Sequence, residues 1–79
     1  MTNREKYIKA FEEAFPGINN QDLSNLSYQS IPEWDSVGHL GLVVCIEETF
    51  SISLDMDHII ELSSFEKGME ILAKYDLEF

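Results

Sequence analysis

The stretch Asp35-Ser36-Val37-Gly38-His39-Leu40-Gly41-Leu42-Val43-Val44-Cys45-Ile46-Glu47-Glu48-Thr49-Phe50 is the longest apolar segment of the chain, and its reading decides the fold. Asp35 can accept hydrogen bonds from the orphan N–H groups of a first helical turn. Val37, Leu40, Val43, Val44 and Phe50 then give a broad apolar face at helical spacing. The reading is a helix from about Ser36 to Phe50, capped by Asp35 and needing other helices to cover it.

Upstream, Thr2 followed by Glu5 has the spacing of a capping box, and Ile8, Phe11 and Phe15 recur on one face. A helix is predicted from about Asn3 to Phe15, stopped by Pro16-Gly17. From Ile18 to Trp34 the chain is rich in Asn, Gln, Ser and Asp, yet Leu23, Leu26, Tyr28, Ile31 and Trp34 punctuate it. That pattern predicts a long ordered loop pinned to the core, with a short helical turn near Asp22 to Leu26. So long a connection without regular structure suggests a functional segment.

Downstream, Ser51-Ile52-Ser53-Leu54 alternates like a strand but is short and lacks a pairing partner, so it reads as extended loop. Asp57 is expected to cap a short helix through Leu62, with Ile59, Ile60 and Leu62 turned inward. Ser63 and Glu66 repeat the capping-box spacing ahead of a last helix striped by Phe65, Met69 and Leu72 with Ile71 or Tyr75. The predicted fold is all-α: a four-helix bundle with a short third helix and a long first loop, forming one domain over residues 1–79.

Composition narrows the function. The chain has 79 residues, which leaves little room for a deep catalytic cleft. With 15 acidic residues against 5 Lys and Arg, the net charge is -10, which repels phosphate backbones and anionic membranes and attracts basic protein patches. Nucleic acid and membrane insertion are therefore not expected. At 44% hydrophobic the chain is too apolar for a disordered acidic tail. Cys45 is the sole cysteine, so it forms no intrachain disulfide. No signal peptide or membrane-spanning run is evident, and the expected setting is a reducing cytoplasm.

Trp34-Asp35-Ser36-Val37-Gly38-His39-Leu40 resembles the phosphopantetheine attachment region of acyl carrier proteins, in which Asp-Ser-Leu opens the second helix. The similarity runs on through Ile46-Glu47-Glu48, Phe50, Ile52, Ile60 and Ser63-Ser64-Phe65. The resemblance implies that Ser36 carries 4'-phosphopantetheine, moved from coenzyme A by a phosphopantetheinyl transferase. It further implies that Asp35 helps position the metal used by that transferase, and that the chain itself is not an enzyme. Partners would be acyl-loading and acyl-processing enzymes with basic or shape-complementary docking faces, meeting a monomeric carrier. The physical reading agrees, because a serine at a helix N-terminus is exposed and the dipole there favours an attached phosphate.

An apolar tunnel beside the second and third helices could shelter an acyl chain, with Leu40, Val43, Leu54, Ile59 and Ile60 as candidate lining or as plain core. Val37 replaces the family's usual leucine. Gly38 and Gly41 stand where fatty-acid-synthesis members usually carry acidic residues, and with Cys45 they make a small-residue stripe. The expectation is a partner face of Val37, Gly38, Gly41, Cys45 and Glu48 recognised by shape, in a specialised fatty-acyl, polyketide or envelope-related pathway.

Other chemistries are weaker. His39 lies one turn after Ser36, but no third orienting group or oxyanion site accompanies them, and His39 is expected as an exposed contact near the arm. Asp55, Asp57 and Glu66 fall at calcium-loop positions, yet Ile59 and Ile60 occupy places that need an oxygen ligand and glycine. His58 has no partner at metal spacing, and Cys45 reads as a small buried hydrophobe. The alternative to a carrier is an unmodified acidic helical adaptor for a basic protein partner. The identity of any cargo stays open.

Overall fold

The computed structural model describes residues 1–18 and 20–79. Among the described residues the chain forms four α-helices: α1 (Asn3–Ala14), α2 (Ser36–Phe50), α3 (Met56–Glu61) and α4 (Phe65–Ala73). None is long and apolar enough to cross a membrane. The all-α bundle with a short third helix is thus the observed architecture.

α1 begins as its first residues dictate. Glu5 N–H donates to Thr2 Oγ1 at 3.1 Å and Thr2 N–H to Glu5 Oε1 at 2.9 Å, which closes the capping box. The Thr2 N–H, and after it the Thr2 side chain, hold the Glu5 carboxyl below the usual carboxylate range. Its buried face is Tyr7, Ala10 and Phe11, followed by Phe15 at the cap, while Ile8 is only partly covered. Tyr7 was not anticipated on this face. Its ring packs against Phe11 and Phe65, and its hydroxyl donates to the Phe65 carbonyl at 2.8 Å.

The chain turns at Gly17, with φ of 93°, and a 3₁₀ turn follows at Asn20–Asn25. The expected loop from Ile18 to Trp34 includes Asn19, which lies outside the described residues. Leu23, Leu26 and Trp34 are buried as pins, whereas Tyr28 is exposed and Ile31 half-buried. From Leu26 to Trp34 the loop is held in place because its backbone groups find partners. Tyr28 N–H donates to Ser63 O at 2.8 Å, Phe65 N–H to Leu26 O at 3.0 Å, and Gln29 N–H to Trp34 O at 2.9 Å. The loop is therefore stitched to the α3–α4 junction.

α2 spans the predicted residues. Asp35 Oδ1 accepts from Gly38 N–H at 2.8 Å, and Ser51 ends the helix in the left-handed conformation at φ 54°. Its inward face differs from the expected one. Leu42, Val43 and Ile46 are buried and Phe50 half-buried, while Val37, Leu40 and Val44 are exposed at 78%, 61% and 50%. The helix is apolar nearly all round, so its own periodicity could not select the side that α1 covers.

Two caps are also shifted. Asp55, not Asp57, precedes α3, and it makes no side-chain capping bond. Ser64, not Ser63, caps α4, accepting from Lys67 N–H at 3.0 Å. In α3 the expected inward set is split: Leu62 just beyond it is buried, Ile59 is half-buried, and Ile60 is exposed. In α4 the buried face is Phe65, Gly68, Ile71 and Leu72, with Met69 and Tyr75 only partly covered.

Candidate functional site

Ser36 is the first residue of α2, and the Asp35 cap fixes the start of that helix beneath it. Its side chain is exposed. The nearest polar partner is Tyr28, whose hydroxyl lies 3.4 Å from Ser36 Oγ. That separation exceeds the range of a strong O–H···O bond, so the serine oxygen is approached without being consumed.

Beside Ser36 opens a pocket of about 380 Å³, lined by Tyr28, Ser36, His39, Leu40, Ile59 and Ile60, with Leu62 and Ser63 behind them. Its wall is mostly apolar, and its polar groups are concentrated at Tyr28, Ser36, His39 and Ser63. The arrangement suits a ligand that is fixed at a hydroxyl and extends an apolar tail, since burial of each methylene contributes about 0.8 kcal/mol. Of the five residues expected to line a tunnel, Leu40, Ile59 and Ile60 border this open pocket. Val43 and Leu54 do not: both are buried core residues outside this lining, with Val43 on the inward face of α2.

His39 is not the exposed contact expected from its position. It is half-buried and lies edge to edge with Trp34, with ring centroids 6.2 Å apart and planes 14° off parallel. Trp34 Nε1–H donates to His39 Nδ1 at 2.9 Å, and His39 Nε2 meets the Ile59 carbonyl at 2.8 Å. Both ring nitrogens are thereby engaged away from Ser36, so the geometry offers no imidazole base to that hydroxyl.

The expected partner face is divided by the structure. Val37, Gly41 and Glu48 are exposed, and a Cβ on Gly41 would meet nothing within 4 Å among the described residues. Gly38 faces the other way. A Cβ there would lie 1.9 Å from the Glu33 carbonyl oxygen and 3.3 Å from Phe15 Cε1. Only glycine lets the Ile31–Asp35 segment cross so closely over the first turn of α2. Gly38 is therefore an internal packing residue, not part of an open docking stripe. Cys45 is half-buried, and burial, with Glu13 and Glu48 nearby, pushes its thiol up, away from nucleophilic thiolate character.

Elsewhere, His58 Nδ1 lies 2.6 Å from the Tyr75 hydroxyl, which also accepts from Asp55 N–H at 2.9 Å. The calcium-loop spacing falls on α3 itself, which occupies Met56–Glu61 in helical form. Among the described residues no group of three or more His, Cys, Asp or Glu side chains is gathered as a metal site.

Tyr28 and Ser63 are the site residues that sequence reasoning misses, together with the pairing of His39 to Trp34. Tyr28 and Ser63 come together through a backbone bond between distant segments. No local pattern signals that meeting. In comparisons with protein-family models, with curated proteins and with solved structures, nothing matches this chain.

Proposed function

We propose that the chain is an acyl carrier protein whose Ser36 receives 4'-phosphopantetheine from coenzyme A through a phosphopantetheinyl transferase. One observation carries this reading: an exposed serine hydroxyl on the first residue of a capped helix stands at the rim of an apolar pocket.

Each part of the site has a role in it. Ser36 Oγ is the attacking oxygen that forms a phosphodiester as the adenosine bisphosphate portion of coenzyme A leaves and the serine proton is lost. The unpaired N–H groups of the first turn of α2 and its dipole favour the phosphate there. Tyr28 stands close enough to donate a hydrogen bond to a phosphate oxygen after modest movement. Asp35 holds the helix start rigid, and by resemblance its carboxylate also meets the transferase metal. The attached arm supplies a terminal thiol that holds acyl groups as thioesters. Leu40, Ile59 and Ile60 offer an apolar surface to a cargo chain folded back from Ser36.

Docking of acyl-loading and acyl-processing enzymes is assigned to the exposed face of α2 around Val37, Gly41 and Glu48. Gly38 answers an internal need, so the case for a specialised pathway rests on Gly41.

Incubation with coenzyme A and a broad-specificity phosphopantetheinyl transferase, followed by intact-protein mass spectrometry, tests the proposal. The chain should gain the mass of one phosphopantetheine and Ser36→Ala should gain none. No gain in a mixture where a known carrier is modified would sink it in favour of an unmodified acidic adaptor.

A further inference from the structure

The short helix α3 supplies Ile59 and Ile60 to the pocket wall yet buries none of its own residues fully. It has no side-chain cap at its N-terminus. A helix of six residues has too few internal bonds to persist without tertiary support. Two polar tethers provide that support. At its beginning, Tyr75 receives Asp55 N–H and meets His58. Towards its end, His39 of α2 meets the Ile59 carbonyl at 2.8 Å. The preceding carbonyl, of His58, still receives Leu62 N–H at 3.0 Å, so His39 takes over where the helix's own bonding runs out.

The protonation of His39 follows from its partners. Indole Nε1–H can only donate, so His39 Nδ1 must accept. A carbonyl can only accept, so His39 Nε2 must carry the proton. The ring is the neutral Nε2–H tautomer, fixed at both ends. Trp34 beside it is fully buried, which anchors the ring to the core.

We propose that His39 is a positioning residue: a latch that joins α3 to buried Trp34 and keeps the aliphatic wall of the Ser36 pocket closed over its ligand. The ligand class, an acyl chain on the Ser36 arm, rests on the carrier reading; the latch itself rests on the two bonds. The resulting property is shelter that depends on one bond: the wall opens when the Nε2–H to Ile59 bond is lost.

Two substitutions separate the latch from simple packing. His39→Gln removes the ring but places an amide N–H near the former Nε2, able to reach Ile59. His39→Asn also removes the ring; its amide oxygen can still accept from Trp34, but the shorter side chain leaves its NH2 short of the Ile59 carbonyl. Wild type and both variants are loaded with an octanoyl arm from octanoyl-coenzyme A, and cleavage of the thioester by hydroxylamine is timed. His39→Asn should lose the octanoyl group about fivefold faster than wild type, with His39→Gln within about twofold, as expected for loss and retention of one hydrogen bond. In the unloaded chains, amide exchange at residues 59–62 should follow the same order, while that of α1 stays unchanged.

Equal cleavage in all three proteins, or equal exchange in the two variants, would overturn the latch. If no arm can be attached to Ser36, the carrier reading fails by that result, and the exchange measurement still decides the latch on its own.

Discussion

Tyr7, Phe11, Phe15, Trp34 and Phe65 are all enclosed and meet one another with ring centroids 4.8 to 6.0 Å apart, whereas α3 leaves Met56 and Ile60 in solvent and hangs on Tyr75 and His39. The first region is held by apolar area, which has no direction and is spread over many contacts. The second is held by a few hydrogen bonds, each worth little alone and each dependent on geometry. The contrast places rigidity under the Ser36 end of α2 and adjustability in the opposite pocket wall. Under the carrier proposal, such a division would keep the Ser36 attachment point fixed while the facing wall adjusts.

The largest expected effect that could break this contrast is on core volume. Phe11→Ala should destabilise the protein by about 3–5 kcal/mol in urea denaturation, because it empties the centre of the aromatic cluster. Ile60→Ala, on the exposed side of α3, should change stability by no more than about 0.5 kcal/mol. Similar losses from the two would mean that α3 is core after all.

A smaller effect should separate two glycines of one helix. Gly38→Ala forces a methyl into the Glu33 carbonyl and should cost about 1–3 kcal/mol, as other overpacked sites do. Gly41→Ala meets open space and should stabilise α2 by up to about 1 kcal/mol through better helix propensity. Thermal melts of the pair would show opposite shifts; shifts of the same sign would refute the assignment of Gly38 to the interior.

The smallest expected effect sharpens the description of the aromatic region, which contains one ionisable group. Burial raises the Tyr7 hydroxyl well above its ordinary 10.0. The folded state therefore keeps its proton where the unfolded chain would lose it. Stability from this group is complete below about pH 10 and declines above it by about 1.4 kcal/mol per pH unit, until the folded hydroxyl itself ionises. Urea midpoints measured from about pH 9 to 11 should fall along this slope, and Tyr7→Phe should flatten it. An unchanged slope in Tyr7→Phe would show that another group governs alkaline unfolding.

Local rules made much of this legible in advance. Thr2 with Glu5, and Asp35 ahead of Ser36, satisfy helix N–H groups within a few residues, so the starts of α1 and α2 could be read directly. The same rules misplaced the starts of α3 and α4 where neighbouring candidates compete, as Asp55 does with Asp57 and Ser63 with Ser64. The candidate site was legible only as Ser36, Asp35, Leu40, Ile59 and Ile60. Tyr28, Ser63 and the Trp34–His39 bond escaped because each depends on which remote segment lies opposite.

By itself the amino-acid order determined the helical class, the bounds of α2 and the exposed serine at its mouth, since turn, cap and periodicity act over one or two helical turns. Only the tertiary structure decided which side of α2 is covered, why Gly38 must lack a side chain, and how His39 ties α3 to Trp34. An apolar helix presents several equivalent faces, and a histidine between two segments has no preferred partner until both are brought to it. Long-range packing makes that choice, and no short-range preference of the chain encodes it.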